Sequence, residues 1–394
     1  MKDTRMKTVD VVVVGGRVAG ASTALLLARA GLAVTLVDRG WRGSDTLSTH
    51  ALMRAGDLQL SRWGVLDDVV AAGTPAVRRT VFRYADGEVA DVAIRPRAGV
   101  EALYAPRRHL LDRLLVEAAE DAGARVLHEA TVTSLRRDPS GRVAGVVGRT
   151  SRGARLDLAA GLTIGADGIR SRVAEQVGAA TTWQGRTASA VLYRYVEDPA
   201  ADAYEWTYGT AAGSGIIPTN DGASCLFVAT TPARMRRLRR LGVERTFSEL
   251  LAASGATAVE RARGLRPVGP VRGWAGVPGF TRASSGPGWA LVGDAGYFKD
   301  PITSHGLTDA LRDAELLAEQ VLAEHAGAVP EHVALARYEE TRMRLSRELL
   351  EVTERVAAYD WDPAGIRSLL RRVSTAMTDE VEHLEQLAPV GATP

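Results

Sequence analysis

Residues 7–38 read KTVDVVVVGGRVAGASTALLLARAGLAVTLVD, and the fold follows from this stretch. Val11 to Val14 are an unbroken β-branched run, the pattern of a parallel strand buried on both faces. Gly15, Gly16 and Gly20 mark a turn into a helix whose Ala21, Ala24, Leu25 and Ala28 share one face. Gly31 can end that helix, and Ala33 to Val37 resume a strand that stops at Asp38. In such a βαβ unit Gly15 permits the tight turn and Gly20 lets the helix approach the strand. The helix start offers free N–H groups and partial positive charge to a pyrophosphate. Asp38, 18 residues beyond Gly20, is placed to hydrogen-bond a ribose hydroxyl. Arg17 stands where the motif usually has its middle glycine, so its side chain must turn away from the phosphates or contact the ligand itself.

The composition fits an ordinary globular protein. The 394 residues are 46% hydrophobic and 24% charged, enough for two domains with sizeable cores and too apolar for a disordered or fibrous chain. A formal net charge of +2 gives no reason to expect nucleic acid or an anionic membrane as partner. The single cysteine, Cys225, leaves no internal disulfide or cysteine metal cluster, and no metal site is expected. The apolar N-terminal stretch is broken by Arg17, Arg29 and three glycines, so neither a signal peptide nor a membrane span is expected, and the chain reads as cytoplasmic. Lys2, Lys7 and Lys299 are its only lysines, so a lysine inside a structured segment invites a reason.

Beyond Asp38, Leu58, Leu60, Trp63, Leu66, Val69 and Val70 follow helical spacing up to Gly73. Val77 to Ile94 alternate as strands around a turn at Asp86 and Gly87. Arg107 to Ala122 predict a helix with Leu111, Leu114, Leu115 and Ala118 inward. Short strands follow near Val132, Val143–Val147 and Ala154–Leu158, then Leu162–Ile164 lead into GADGIRSRV. From Thr181 to Gly279 the pattern is mostly strands, interrupted by a helix over 232–253. Its arginines at 234, 236, 237, 239, 240 and 245 read as a solvated face above a buried stripe of Met235, Leu238 and Leu241. Trp289–Val292 is a strand, and a helix beginning at Gly306 carries Leu307, Ala310, Leu311, Ala314, Leu317, Ala318 and Val321 inward. The expectation is an α/β fold. A discontinuous Rossmann-like nucleotide domain (1–75, 106–180, 280–328) receives an antiparallel sheet layer (76–105, 181–279), and helices occupy 329–394.

Three stretches therefore share a strand, glycines with an aspartate, and a helix: Gly15–Gly20, Gly165–Gly168 and Gly293–Gly306. Together they resemble the fingerprints of FAD-dependent monooxygenases related to para-hydroxybenzoate hydroxylase, a superfamily that includes geranylgeranyl reductases and flavin-dependent halogenases. The resemblance runs from about Val9 to Leu322. It implies that Gly15, Gly16, Arg17, Gly20, Asp38 and Arg39 hold the FAD adenosine and pyrophosphate, joined by Val132. Asp167 and Gly168 match the DG motif, while Gly293, Asp294, Pro301, Gly306 and Leu307 match the GD motif at the ribityl chain and pyrimidine edge. Arg108, with Arg107 one register away, matches a flavin arginine, and Arg54 an arginine over the pyrophosphate.

The resemblance implies that the flavin forms a C4a-hydroperoxide with molecular oxygen and hydroxylates or epoxidises an apolar small molecule, aromatic ones included, in secondary metabolism. NAD(P)H is the implied reductant, with a partner flavin reductase as the other source of electrons. A reductase without oxygen transfer is the alternative; a halogenase or a non-catalytic flavin carrier is less favoured. Candidate catalytic residues are His305, His50, Tyr193 and Lys299, and Tyr193, Tyr195, Tyr204, Trp206 and Ile217 are candidate pocket residues. Halogenases carry a WxWxIP segment; here GSGIIP puts Gly213 and Gly215 in the tryptophan positions, which is expected to leave room beside the flavin. Lys299 lies in the GD loop, apart from the segment where halogenases carry their lysine. Its alternatives are a surface ion pair with Asp300 or a contact to reductant or substrate.

Overall fold

A computed structural model describes residues 7–199, 201–388 and 390, so Lys2 lies outside the described residues. Strand β1 (Lys7–Val14), helix α1 (Val18–Arg29) and strand β2 (Val34–Val37) form the expected unit. Gly15 has φ 108°, and a Cβ there would lie 2.4 Å from the Ala166 carbonyl oxygen. On Gly20 a Cβ would lie 1.8 Å from the Gly15 oxygen. Both positions exclude any side chain, and that exclusion lets the start of α1 close onto the strand ends.

Helices α2 (Arg54–Arg62) and α3 (Leu66–Ala71) follow, broken at Gly64 with φ 72°. Val70 is exposed, not part of the inward stripe. The hairpin β3 (Arg79–Tyr84) and β4 (Val89–Ala93) leaves the nucleotide domain; α4 (Arg108–Asp121) and β5 (Arg125–Leu127) return to it. Next come β6 (Ala130–Arg137), β7 (Val143–Thr150) and β8 (Arg155–Gly165). The two strands expected within 154–164 are one. β8 pairs antiparallel with β7 through Arg155–Ala159, then runs parallel to β1 from Leu158 to Gly165.

Helix α5 (Arg172–Val177) and strand β9 (Thr181–Gln184) lead to β10 (Ala190–Glu197), β11 (Ala203–Tyr208), β12 (Gly213–Pro218) and β13 (Ala223–Thr230). The helix expected over 232–253 is divided into α6 (Pro232–Leu238) and α7 (Val243–Ser254), because a 3-10 turn at Arg239–Leu241 ends in Gly242 with φ 88°. Leu241 is 46% exposed, so it does not belong to a buried stripe. After α8 (Ala256–Ala262) come β14 (Arg266–Trp274), β15 (Phe280–Arg282), β16 (Ser285–Gly286), β17 (Trp289–Leu291) and β18 (Tyr297–Phe298). The chain then forms α9 (Gly306–His325), α10 (Glu331–Val356) and α11 (Pro363–Gln386).

The first sheet has the order β16-β17-β8-β1-β2-β5, parallel from β17 to β5, with β7 and β6 attached to β8. The second has the order β14-β10-β13-β12-β11-β3-β4 and is antiparallel except for the parallel pair β11–β3. β9, from the segment assigned by sequence to the second sheet, pairs instead with β15 beside β18. One face of the second sheet, with Tyr195, Tyr204, Ile217, Cys225 and Phe227, packs on α10 and α11. The other, with Leu192, Ile216 and Val228, is covered by Met235, Phe247 and Leu250. Among the described residues no helix is long and apolar enough to cross a membrane.

Helix α9 carries the inward stripe read from sequence, and its polar positions are buried as well. Asp309, Arg312, Asp313 and Glu315 are at most 3% exposed, because α9 packs against α1, α2 and α10. Gly20→Ala is expected to lower unfolding stability by about 1–3 kcal/mol or more through overpacking. Gly306→Ala, whose Cβ would meet nothing within 4 Å, should leave stability nearly unchanged. Urea denaturation of both variants checks the contrast.

Candidate active site

The starts of α1 and α9 open onto one cavity of about 400 Å³ between the two sheets. Arg17, Val18, Gly168, Asp294, Gly306 and Leu307 line its nucleotide side, while His50, Tyr193, Trp274, Phe298 and Lys299 line the side towards the second sheet. In a smaller pocket beside it, lined also by Gly16 and Arg17, the Asp38 carboxylate accepts the N–H groups of Gly16 and Gly40, both at 2.6 Å, which fixes its orientation beside the glycine turn. Arg17 turns away from the turn. Its guanidinium donates to Asp112 Oδ2 at 2.9 Å and to the Ser44 carbonyl at 3.1 Å. Arg108 reaches the same carboxylate at 3.0 Å, so Asp112 on α4 positions two arginines of the cavity. The only sequence signal for Asp112 was its i,i+4 spacing from Arg108.

Asp294 follows Gly293, whose φ of 55° re-aims the chain, and its carboxylate is open to the cavity though enclosed by protein elsewhere. That enclosure pushes the carboxyl up to about 6, against the opposing pull of Lys299 and Arg108. His50, at φ 71°, donates its backbone N–H to Ser48 Oγ, and its Nε2 lies 2.6 Å from the Tyr195 hydroxyl. Burial, reinforced by Arg107 and Arg108, lowers His50 well below its ordinary value, so the ring is neutral. Arg107 does not line the cavity; its guanidinium lies 3.7 Å from the centroid of the Tyr195 ring. Tyr193 is buried at the cavity wall, and burial raises its phenol.

A second cavity, of about 500 Å³, lies between β3, β4, β11 and helix α11. Phe82, Tyr84, Trp206 and Tyr208 form its sheet wall, and Leu370, Val373 and Met377 face them from α11. Loop 301–306 separates the cavities: Pro301, Ser304 and Gly306 line the first, whereas Ile302, Thr303 and His305 line the second.

Beneath that loop is a buried charge network. Lys299 contacts the Asp309 carboxylate, and Arg312 reaches Asp309 Oδ1 and Glu380 Oε1, each at 2.9 Å, and Asp313 Oδ1 at 2.8 Å. His305 Nε2 lies 2.6 Å from Glu380 Oε2. Burial alone would raise the Glu380 carboxyl, but the His305 and Arg312 hydrogen bonds and charges outweigh it and hold the group below its ordinary value. Burial lowers His305, and the tautomer carrying the proton on Nε2 donates to Glu380. Burial, then Arg312, draws Lys299 well below its ordinary value. Lys299 is therefore not a surface partner of Asp300, whose carboxylate instead accepts the N–H groups of Ser189 and Ile302. His305, Asp309 and Glu380 have metal-like spacing, but the Arg312 guanidinium already supplies positive charge between Asp309 and Glu380.

A family model described as "FAD binding domain" matches residues 8–353. The chain belongs to the FAD binding domain family, and it is a flavin-dependent oxidoreductase. It is 27% identical over 404 residues to a ubiquinone hydroxylase of Rhodospirillum rubrum, covering 97% of this chain and 88% of the relative. It is 29% identical to a menaquinone reductase of Mycolicibacterium smegmatis, over 79% and 75% of the two chains. Among solved structures the myxobacterial chondrochloren halogenase shares the fold, with TM-score 0.79, 20% identity and 98% coverage of each chain.

The cradle fits the cofactor of this FAD binding domain family on its own geometry. Two helix starts and the Asp294 carboxylate border the cavity, the Asp38 carboxylate lines a smaller neighbouring pocket that shares Arg17 with it, and the open side of Gly306 leaves space that a side chain would take. Several residues named from sequence stand elsewhere. Asp167 caps α5, accepting from Ser171 Oγ at 2.5 Å and from the Arg172 N–H at 2.7 Å. Arg54 lines the second cavity and donates to the Arg95 and Val100 carbonyls. Val132 is buried in β6 away from the cavity, and Arg39 is exposed beyond Asp38. Tyr195, Tyr204 and Ile217 are core, while Trp206 does line the second cavity. Of the two positions expected to leave room at GSGIIP, Gly215 is filled, since a Cβ there would lie 2.5 Å from the Phe227 ring, whereas a Cβ on Gly213 would come no nearer than 3.4 Å to the Thr207 oxygen.

Glu380→Ala would leave Arg312 buried beside too little negative charge and His305 without its acceptor. A loss of about 3–5 kcal/mol is expected. Glu380→Gln, which keeps an oxygen for His305, should lose less; urea unfolding of both variants distinguishes them.

Proposed function

We propose that the protein is an FAD-dependent monooxygenase that inserts one oxygen atom, by hydroxylation or epoxidation, into an apolar aromatic molecule held in the second cavity. The observation that carries this reading is the shared loop: residues 301–306 are one wall of the nucleotide cradle and one wall of an aromatic-lined cavity of about 500 Å³. A substrate there would rest against a wall of the nucleotide cradle. The likeness to a ubiquinone hydroxylase along 97% of the chain supports hydroxylation.

In this reading Asp38 holds the adenosine ribose, and the α1 start, with Gly15, Gly16 and Gly20, holds the pyrophosphate. Arg17 and Arg108, both steadied by Asp112, add positive charge, and Gly168 leaves the cradle open. Asp294 takes the ribityl hydroxyls, with Gly293, Pro301 and Leu307 shaping the walls. FAD held there would supply the redox chemistry, taking up a hydride from NAD(P)H and activating molecular oxygen. The first N–H groups of α9, behind Gly306, would stabilise negative charge that develops on the flavin. Tyr193 presents a hydroxyl for proton exchange, oriented on the same wall as the neutral His50–Tyr195 pair. Lys299, already paired with Asp309, stands beside the cradle, and His305 fixes the loop that divides the cavities.

The likeness to a menaquinone reductase favours a second reading, flavin-dependent reduction with no oxygen transfer. Turnover under ¹⁸O₂ separates the two: product carrying a single ¹⁸O atom is expected, and reduced product without label would establish the reductase. Excess bromide should leave the product unhalogenated, and brominated product lost in Lys299→Ala would make the protein a halogenase. Anaerobic bleaching of the flavin by NADH or NADPH alone is expected, without a partner reductase.

Asp294 gives a prediction with a definite sign. Its carboxyl titrates at about 6 in the free cradle, and a ribityl hydroxyl donates best to the ionised form. FAD affinity should rise as pH climbs through that value and fall below it. Asp294→Asn should flatten the profile, and Asp294→Ala should weaken binding on the order of 10-fold or more. Fluorescence titration of the apoprotein with FAD measures all three.

A further inference from the structure

The arginine-rich segment between α6 and α7 does not behave as the solvated back of a buried helix. Arg234, Arg236, Arg237, Arg239 and Arg240 fall within seven residues, and all but the half-buried Arg234 are exposed. Among the described residues no carboxylate pairs with any of the five. The nearest acids along the chain are already committed, Glu244 to Arg194 and Glu249 to Arg245. The 3-10 turn and Gly242 then carry the chain outward, leaving Leu241 46% and Val243 47% exposed at the tip of the basic segment. Met235 and Phe247 anchor the two flanking helices in the core, so the tip projects from a rigid base.

We propose that this tip docks the protein peripherally on an anionic lipid bilayer. Five uncompensated guanidinium groups match the negative headgroup layer in charge, and two aliphatic side chains beside them match the shallow apolar region beneath it. A nucleic acid would reward the arginines equally, but it would leave Leu241 and Val243 unused. The two exposed large apolar side chains at the tip are aliphatic, offering bases no aromatic face for stacking. The overall charge of +2 conceals the patch, because attraction to a surface depends on charge within a Debye length of it, not on the net sum.

The FAD-loaded full chain is sedimented with vesicles of phosphatidylcholine alone and with vesicles containing phosphatidylglycerol. Binding only to the anionic vesicles is expected, weakening as salt is raised. The exposed triple variant Arg236→Gln/Arg237→Gln/Arg240→Gln should lower the partition coefficient on the order of 100-fold, at about 1 kcal/mol per arginine. Leu241→Ser/Val243→Ser should weaken it further at high salt, where the apolar contribution dominates. Flavin absorbance and circular dichroism verify that both variants remain folded and loaded. Equal binding to both vesicle types, no binding, or binding unaffected by the triple variant overturns the proposal. Retention of RNA or duplex DNA by the wild type without vesicle binding also overturns it, and assigns the patch to nucleic acid.

Discussion

The interaction on which the rest depends is the burial of Arg312. Its guanidinium is fully enclosed, and carboxylates from Asp309 and Asp313 on its own helix and Glu380 on α11 surround it. Asp309 is shared with Lys299, so Glu380 brings further negative charge to the buried guanidinium and ties α11 to α9. Once α11 is fixed there, its apolar side roofs the second cavity and its acid secures His305 at the start of α9. The same helix start opens onto the nucleotide cradle. One electrostatic requirement therefore sets the distance between the two cavities and the position of the loop dividing them.

The glycine turn imposes a separate steric constraint. Gly15 and Gly20 allow α1 and the first sheet to approach more closely than any side chain permits, which brings backbone N–H groups to the end of the parallel strands. The two constraints meet in the cradle: α1 enters by steric exclusion and α9 by charge compensation. Asp112 links them to α4 by steadying Arg17 and Arg108, which explains how an arginine replaces the usual middle glycine without obstructing the turn. Arg17 reaches the Asp112 carboxylate that it shares with Arg108.

Gly20→Ala and Glu380→Ala probe these two constraints, and they differ in how visible they were in the sequence. The βαβ unit, the helix beginning at Gly306 and the hairpin around Gly87 were legible because each depends on local spacing and on φ values that only glycine adopts easily. Their residues act within a few positions of one another. The same locality made the Asp38 and Asp294 segments resemble nucleotide-binding loops.

What only tertiary structure decided are the partners of side chains. Asp167 could equally cap a helix or face a ligand, and the position of Ser171 and the Arg172 N–H made it a cap. Lys299 had Asp300 as neighbour in sequence, yet the fold turned it inward to Asp309 and gave Asp300 to Ser189. His305 meets Glu380 across 75 residues, a separation that carries no periodic signal. Gly215 in GSGIIP suggested an opening that Phe227, on the adjacent strand, occupies. Sequence by itself determined the elements and the nucleotide turns, because backbone geometry and hydrophobic periodicity are local. Tertiary packing decided which charges are buried, which arginines remain unpaired and where the apolar cavity lies, because those depend on what distant segments bring to the same place.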